Sequence, residues 1–236
     1  MMENDVLANM PSNELQRIYP YLKLLFLEEN RLLFDKGDEL RHIYLPLSAV
    51  ISMRYVLHDD LDIELTSVGR RFMAGAGVLN HSVSLYSAIV SVSGDCYQLP
   101  VDVFLQEFAR MQYLYRAALD GIFRYTYHLA GTLACCKRHN TQKQVTRWIL
   151  DTIETSGLST IKRTHAEIAM LLGIRREAVS LILNEFSHRK IVSQSRGSFT
   201  LLDKRGLERF ACRCHWEERY RMRPAYYEGD KRTLVT

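Results

Sequence analysis

The spacing of hydrophobic residues changes character twice along the chain. Between residues 24 and 100 it runs with period two: Ile51, Met53 and Tyr55 alternate with polar neighbours, and so do Leu61, Ile63 and Leu65. The polar triplet His58-Asp59-Asp60 separates the two runs and predicts a hairpin. Further β-rich pieces occupy 31–34, 43–47, 87–92 and 95–99, with glycines between them. Short strands at this spacing predict a β-roll or barrel rather than a doubly wound sheet. After Pro100 the period lengthens. No proline interrupts 101–138, and Met111, Tyr115, Ala118, Ile122, Tyr125, Leu129, Thr132 and Cys136 recur at alternating steps of four and three. That is the seam of a helix pair sustained over nearly four heptads, and a second copy of the same helix is the simplest cover for it. The alternative is a long helix buried on its own β domain, and both can hold with different faces.

A third pattern begins at Asn140, which can cap a helix over 141–156 that ends before Gly157. Thr164 with Glu167 three residues on has the spacing of a capping box. Ile168, Ala169 and Leu172 give the next helix an apolar side, and Gly173 permits the positive φ of a sharp turn. Val179, Ile182, Leu183 and Phe186 form the buried stripe of a second helix. Small at 169, glycine four residues on, and aliphatics at 179 and 182 satisfy the packing of a helix-turn-helix. Strands 191–195 and 198–202 then flank Arg196-Gly197 as a β-ribbon wing. The fold class is therefore α+β: a β-roll, a long helix and a C-terminal winged helix-turn-helix.

The residues left outside that buried stripe suggest chemistry. Arg175, Arg176, Glu177, Ser180 and Leu181 fall on the outward N-terminal edge of the second helix, the part that enters a major groove in a helix-turn-helix. Arginine can bond guanine in two places, glutamate can accept from the cytosine amino group, and leucine can touch a thymine methyl. Thr164, His165, Asn184, Arg189 and Arg196 are the candidates for phosphate contacts. Charge agrees with this placement. Residues 1–136 carry 11 Lys/Arg against 16 Asp/Glu, a net of −5; residues 137–236 carry 20 against 11, a net of +9. A basic half suits a polyanion, double-stranded DNA above all. The same fold used only for protein contact is the competing reading.

Other function classes find less support. No apolar run approaches the ~20 residues of a membrane span, and the polar N-terminus MMENDVLANMPSNEL is unlike a secretory signal, so a cytoplasmic location is expected. There is no phosphate-cradling glycine loop, HExxH or GxSxG, and an enzyme is not expected. Five cysteines, at 96, 135, 136, 212 and 214, lack paired CxxC spacing. Cys212-Arg-Cys214-His215 is the nearest approach to a ligand set and is weak evidence for metal, so no metal or cofactor is assigned. A metal- or redox-responsive sensor using Cys136, or Cys212 and Cys214, stands as the alternative function.

With these residues in view, the chain from about Leu15 to Tyr220 resembles the Crp/Fnr superfamily of bacterial transcription regulators. The segments RHIYLPLSAVIS, ELTSVGRRFMAGAGVL, CCKRHNTQKQVTRWIL and DKRGLERFACRC carry the resemblance. It implies a β-roll effector-like domain over 1–110, a dimerisation helix over 111–139, a winged helix over 140–222 and a flexible tail over 223–236. It also implies a homodimer on a pseudo-palindromic site, RNA polymerase as a partner, a small-molecule effector of unknown identity, and a helix after the wing holding Cys212 and Cys214. Departures from the superfamily's patterns are informative. Members that bind cyclic AMP use a Gly-Glu-Leu turn and, eleven residues beyond its glycine, Arg-Ser-Ala; here those places hold Gly75-Ala76-Gly77 and Tyr86-Ser87-Ala88. The cation for the cyclic phosphate and the acceptor for the ribose are both replaced, so regulatory binding of cyclic nucleotides is not expected. The oxygen-sensing members hold an iron–sulfur cluster on N-terminal cysteines, and this chain has none before Cys96. Arg176 and Glu177 match the Arg-Glu pair of the cyclic AMP-responsive members, and Glu177 and Ser180 the Glu and Ser of the oxygen-responsive ones. Leu181 replaces the arginine that both groups use on a guanine, so a different half-site is expected.

Overall fold

The computed structural model describes residues 4–56, 62–80 and 83–216. The His58-Asp59-Asp60 break and the 223–236 tail lie outside them. Two short helices, α1 (Asp5–Ala8) and α2 (Ser12–Ile18), precede the strands β1 (Lys23–Leu27), β2 (Leu32–Phe34), β3 (His42–Pro46), β4 (Val50–Val56), β5 (Asp62–Val68), β6 (Ser87–Val92) and β7 (Gly94–Pro100). They form two antiparallel sheets, ordered β1-β7-β3 and β2-β6-β4-β5. The period-two reading places the strands well, and β4 and β5 pair as neighbours, Ile51 opposite Val68 and Tyr55 opposite Ile63. The sheets face each other, because Leu27, Tyr44 and Cys96 of one share a core with Ile51, Ala88 and Val90 of the other. The helices α1 and α2, of four and seven residues, carry too few turns to show a period and were not expected.

The helices α3 (Val101–Phe108) and α4 (Gln112–Arg138) follow Pro100. Val6, Leu7 and Ile18 from the N-terminal helices pack with Ile43, Leu99, Phe104, Met111 and Leu114 in a second core beneath the roll. At its edge Arg17 donates two hydrogen bonds to Glu107, 2.6 and 3.0 Å long, and these hold the Glu107 carboxyl below its ordinary range. Further along, α4 passes so close to the roll that a Cβ on Gly121 would lie 1.6 Å from the Phe72 ring. The ring fills the notch that the missing side chain leaves. No helix among the described residues is long and apolar enough to cross a membrane.

The C-terminal part comprises α5 (Thr141–Ser156), β8 (Thr160–Ile161), α6 (His165–Leu172), α7 (Arg176–His188), β9 (Val192–Ser195), β10 (Ser198–Leu201) and α8 (Lys204–Glu208). Local chemistry sets these bounds. The Asn140 side chain accepts from the Lys143 amide, and Thr164 and Glu167 complete the capping box in both directions. Gly173 takes φ +65, and the turn it opens is closed by the Ile174 amide donating to the Ala169 carbonyl, 2.9 Å. Val145, Ile149, Ile168, Val179, Leu183, Phe186 and Phe199 make a third core of their own. The wing is a three-stranded sheet, β8-β10-β9, of which β8 was not foreseen. The unit is tied to the roll by Arg163, which is buried: it donates to Glu29 Oε1 at 2.5 Å and to the Ser91 carbonyl at 3.0 Å. The Trp148 indole N–H reaches Glu64 Oε1 of β5 at 3.2 Å.

Candidate nucleic-acid interface

The helix α7 splits cleanly into two sides. Val179, Ile182, Leu183 and Phe186 are buried against α5, α6 and the wing. The other side starts at Arg175, which is the N-cap with extended backbone, and continues through Arg176 and Glu177, all exposed. Leu181, one turn on, is 72% exposed. A leucine left this bare on a helix whose other apolar residues are all satisfied is an unusual surface residue, and it lies beside two arginines. The backbone amides of the first turn of α7 point the same way and favour an anion or an acceptor.

Ser180, His165 and Asn184 are brought together by a residue that the sequence did not single out, Gln194 of β9. Ser180 Oγ lies 2.9 Å from His165 Nδ1, His165 Nε2 lies 3.0 Å from Gln194 Oε1, and the Gln194 amide donates to Asn184 Oδ1 at 3.0 Å. Gln194 Oε1 can only accept, so His165 Nε2 supplies the hydrogen of that contact, while Ser180 Oγ and His165 Nδ1 share the other. This relay joins α6, α7 and the wing into one surface. The same three elements line a cleft of about 240 Å³ that includes Arg163, His165, Arg176 and Gly197.

The other expected phosphate contacts differ in standing. Arg196 is exposed at the tip of the wing, at the edge of the cleft. Thr164 is exposed, but its hydroxyl already donates to Glu167 Oε2 at 2.8 Å as part of the cap. Arg189 sits at the far end of α7, bonded to Glu185 at 2.9–3.0 Å, with its guanidinium 5.3 Å from the centre of the Phe210 ring. The thirteen residues of α7 span roughly 20 Å, so Arg189 stands well apart from Arg176.

The expected seam on α4 divides between two faces. Met111 and Ala118 are 2% and 0% exposed, spent inside the chain against its own roll. Tyr125 is half-buried with its ring 6.3 Å from that of Tyr86, and Leu129 and Thr132 are half-buried too. Tyr115, Ile122 and Cys136 are exposed. The apolar surface that remains open runs instead through Tyr115, Ile122, Phe123, Ala130 and Leu133, with Phe123 at 72% and Leu133 at 61%. A repeat of four and three marks a stripe but not which neighbour covers it, and the roll takes part of this one. Tyr86 stands where the resemblance puts the phosphate-binding arginine of cyclic AMP-responsive members, and it faces α4 with an aromatic ring.

Residues 143–210 match the Crp-like helix-turn-helix domain family. A search of curated proteins by sequence finds no match. Solved structures share the architecture. A protein from Eubacterium rectale assigned to the Crp/Fnr regulators superposes with a TM-score of 0.69 at 17% identity, over 87% of this chain and 97% of that one. FixK2 from Bradyrhizobium japonicum gives 0.68 at 11% identity, over 81% and 98%. CLP from Xanthomonas campestris, a global regulator responsive to c-di-GMP, gives 0.61 at 15% identity, over 81% and 99%. The C-terminal unit thus matches the Crp-like helix-turn-helix family, and the chain shares the overall fold of these structures.

Proposed function

We propose that this chain is a sequence-specific, DNA-binding transcription regulator that acts as a homodimer. The carrying observation is the outward edge of α7: two arginines, a glutamate and a bare leucine on a helix whose inner side is fully packed. Non-specific phosphate affinity alone has no use for Glu177 or Leu181, whereas base readout does. The basic balance of residues 137–236 supports the same partner. Two copies joined along the open face of α4 place their recognition helices in successive major grooves, with half-sites about 34–36 Å apart on a pseudo-palindrome. In this reading the chain divides at 110 and 139 into roll, dimerisation helix and reading unit, and it works where DNA and RNA polymerase are, in the cytoplasm. Polymerase is the expected protein partner, and the roll receives an effector or a partner protein.

Binding measured on a specific site and on random DNA across salt concentrations tests this. Glu177→Ala is expected to relax discrimination at one base pair, worth about 1–3 kcal/mol. Arg196→Ala is expected to weaken binding to all sequences alike and lower the salt slope by about one. Equal losses on specific and random DNA for both variants would remove the base-reading role of α7.

A further inference from the structure

The last turn of α4 carries Cys135, and His139, its extended C-cap, donates its amide back to the Cys135 carbonyl. Cys135 is buried and His139 half-buried, while the adjacent Cys136 is exposed on another face. The chain after α8 returns to this spot. Cys212 is buried there, with its Sγ 3.6 Å from Cys135 Sγ. Donor atoms of Cys135, His139 and Cys212 all lie within 4.8 Å of one another. Cys214, half-buried in the helical turn that follows, sets its Sγ 3.9 Å from His139 Nδ1. His215 belongs elsewhere: it is buried with Nδ1 3.1 Å from Asp151 Oδ1. Of the residues that the sequence alone suggests, Cys212 and Cys214 belong to this cluster, while Cys136 and His215 point away.

We propose that Cys135, His139, Cys212 and Cys214 form a closed tetrahedral zinc site. Zinc holds thiolate sulfur at about 2.3 Å and imidazole nitrogen at about 2.0–2.1 Å, which puts neighbouring ligand atoms roughly 3.6–3.8 Å apart on a tetrahedron. The separations of 3.6 and 3.9 Å match that spacing, and Cys214, outside the 4.8 Å cluster of the other three, must turn inward to complete the site. A disulfide needs about 2.05 Å between sulfurs and gives no part to His139 or Cys214. Three thiolates favour zinc over magnesium or calcium, and four protein ligands leave no open position, so the role is structural rather than catalytic. Binding expels a proton from each thiol, and the complete site carries one net negative charge. The Arg147 guanidinium, buried beside Cys135 and shared with Asp151 at 3.3 Å, offsets part of it. Location gives the site its meaning. Cys135 and His139 are the end of α4, immediately before the Asn140 cap, and Cys212 and Cys214 follow the reading unit. Zinc closes a ring around that unit and fixes how it leaves the long helix.

The test uses the full chain, purified under reductant without chelator, with elemental analysis and with cobalt(II) as a spectroscopic probe. One zinc per chain is expected, and cobalt(II) is expected to give the visible bands of a tetrahedral thiolate site. Cys135→Ser and Cys212→Ser should each weaken metal binding at least tenfold, while Cys136→Ser keeps it. His139→Cys retains four ligands and should retain the metal with a more sulfur-rich cobalt spectrum, which separates a lost ligand from a lost fold. Reduced, folded chain that takes up neither ion stoichiometrically overturns the proposal. So does full occupancy in Cys212→Ser, or native protein that holds no metal and a Cys135–Cys212 bond two hydrogens lighter.

Discussion

Glu107 shows how much a single residue can report about its surroundings. Its carboxylate lies at the edge of the core beneath the roll and is held below the ordinary carboxylate range, first by hydrogen bonding to Arg17. A group whose pKa is lower folded than unfolded stabilises the fold above its unfolded value, about 4.3, and that contribution fades as pH falls through the folded value. Stability of the native chain should therefore drop with acid below about pH 4.3, and Arg17→Met should flatten that part of the curve. Urea unfolding followed between pH 3 and 6 measures it, and identical slopes for the two proteins would remove Arg17 from the account. Tyr86 makes a second argument at this scale. An aromatic ring packed against Tyr125 offers no cation to a cyclic phosphate. Calorimetry with cyclic AMP or cyclic GMP is expected to show no micromolar binding.

At the scale of the element, α4 has two jobs on two faces. Leu114, Ala118 and Gly121 are buried towards the roll, and Phe123 and Leu133 stay exposed, open to the second copy of the proposed dimer. In a twofold dimer each substitution counts twice, so Phe123→Ala or Leu133→Ala should weaken association by about 3 kcal/mol or more. Sedimentation equilibrium measures this, and an unchanged association constant in both variants would remove this face from the interface. The elements also show what a sequence can and cannot disclose. The Thr164 cap, the Gly173 turn and the wing at Arg196-Gly197 were legible because each depends on residues within a few positions of one another. The face of α4 was legible only as a stripe, since the roll that covers half of it lies far away in the chain. Gln194 gave no signal at all, because its place in the relay depends on β9 lying across α6 and α7. Cys212 was named as a candidate ligand, but its meeting with Cys135 was hidden for the same reason, the two being 77 residues apart.

Across the whole molecule, the attachment of the reading unit to the roll depends on few groups. Arg163 bonds to both Glu29 and Ser91, and Trp148 to Glu64. Arg163→Ala should cost about 1–3 kcal/mol in chemical denaturation, since a charged hydrogen-bonding group is removed from a mostly buried place. Arg163→Lys should recover only part of this, because an ammonium cannot span both acceptors as a planar guanidinium does. No loss in either variant would mean that the two units are held by packing alone.

The Phe72 ring seated against Gly121 constrains how the molecule can move. To slide or roll on the sheets, α4 must first expel an aromatic side chain from a pocket shaped for it. Roll and long helix are therefore keyed together at that point, and any shift of one against the other begins with the Phe72 side chain.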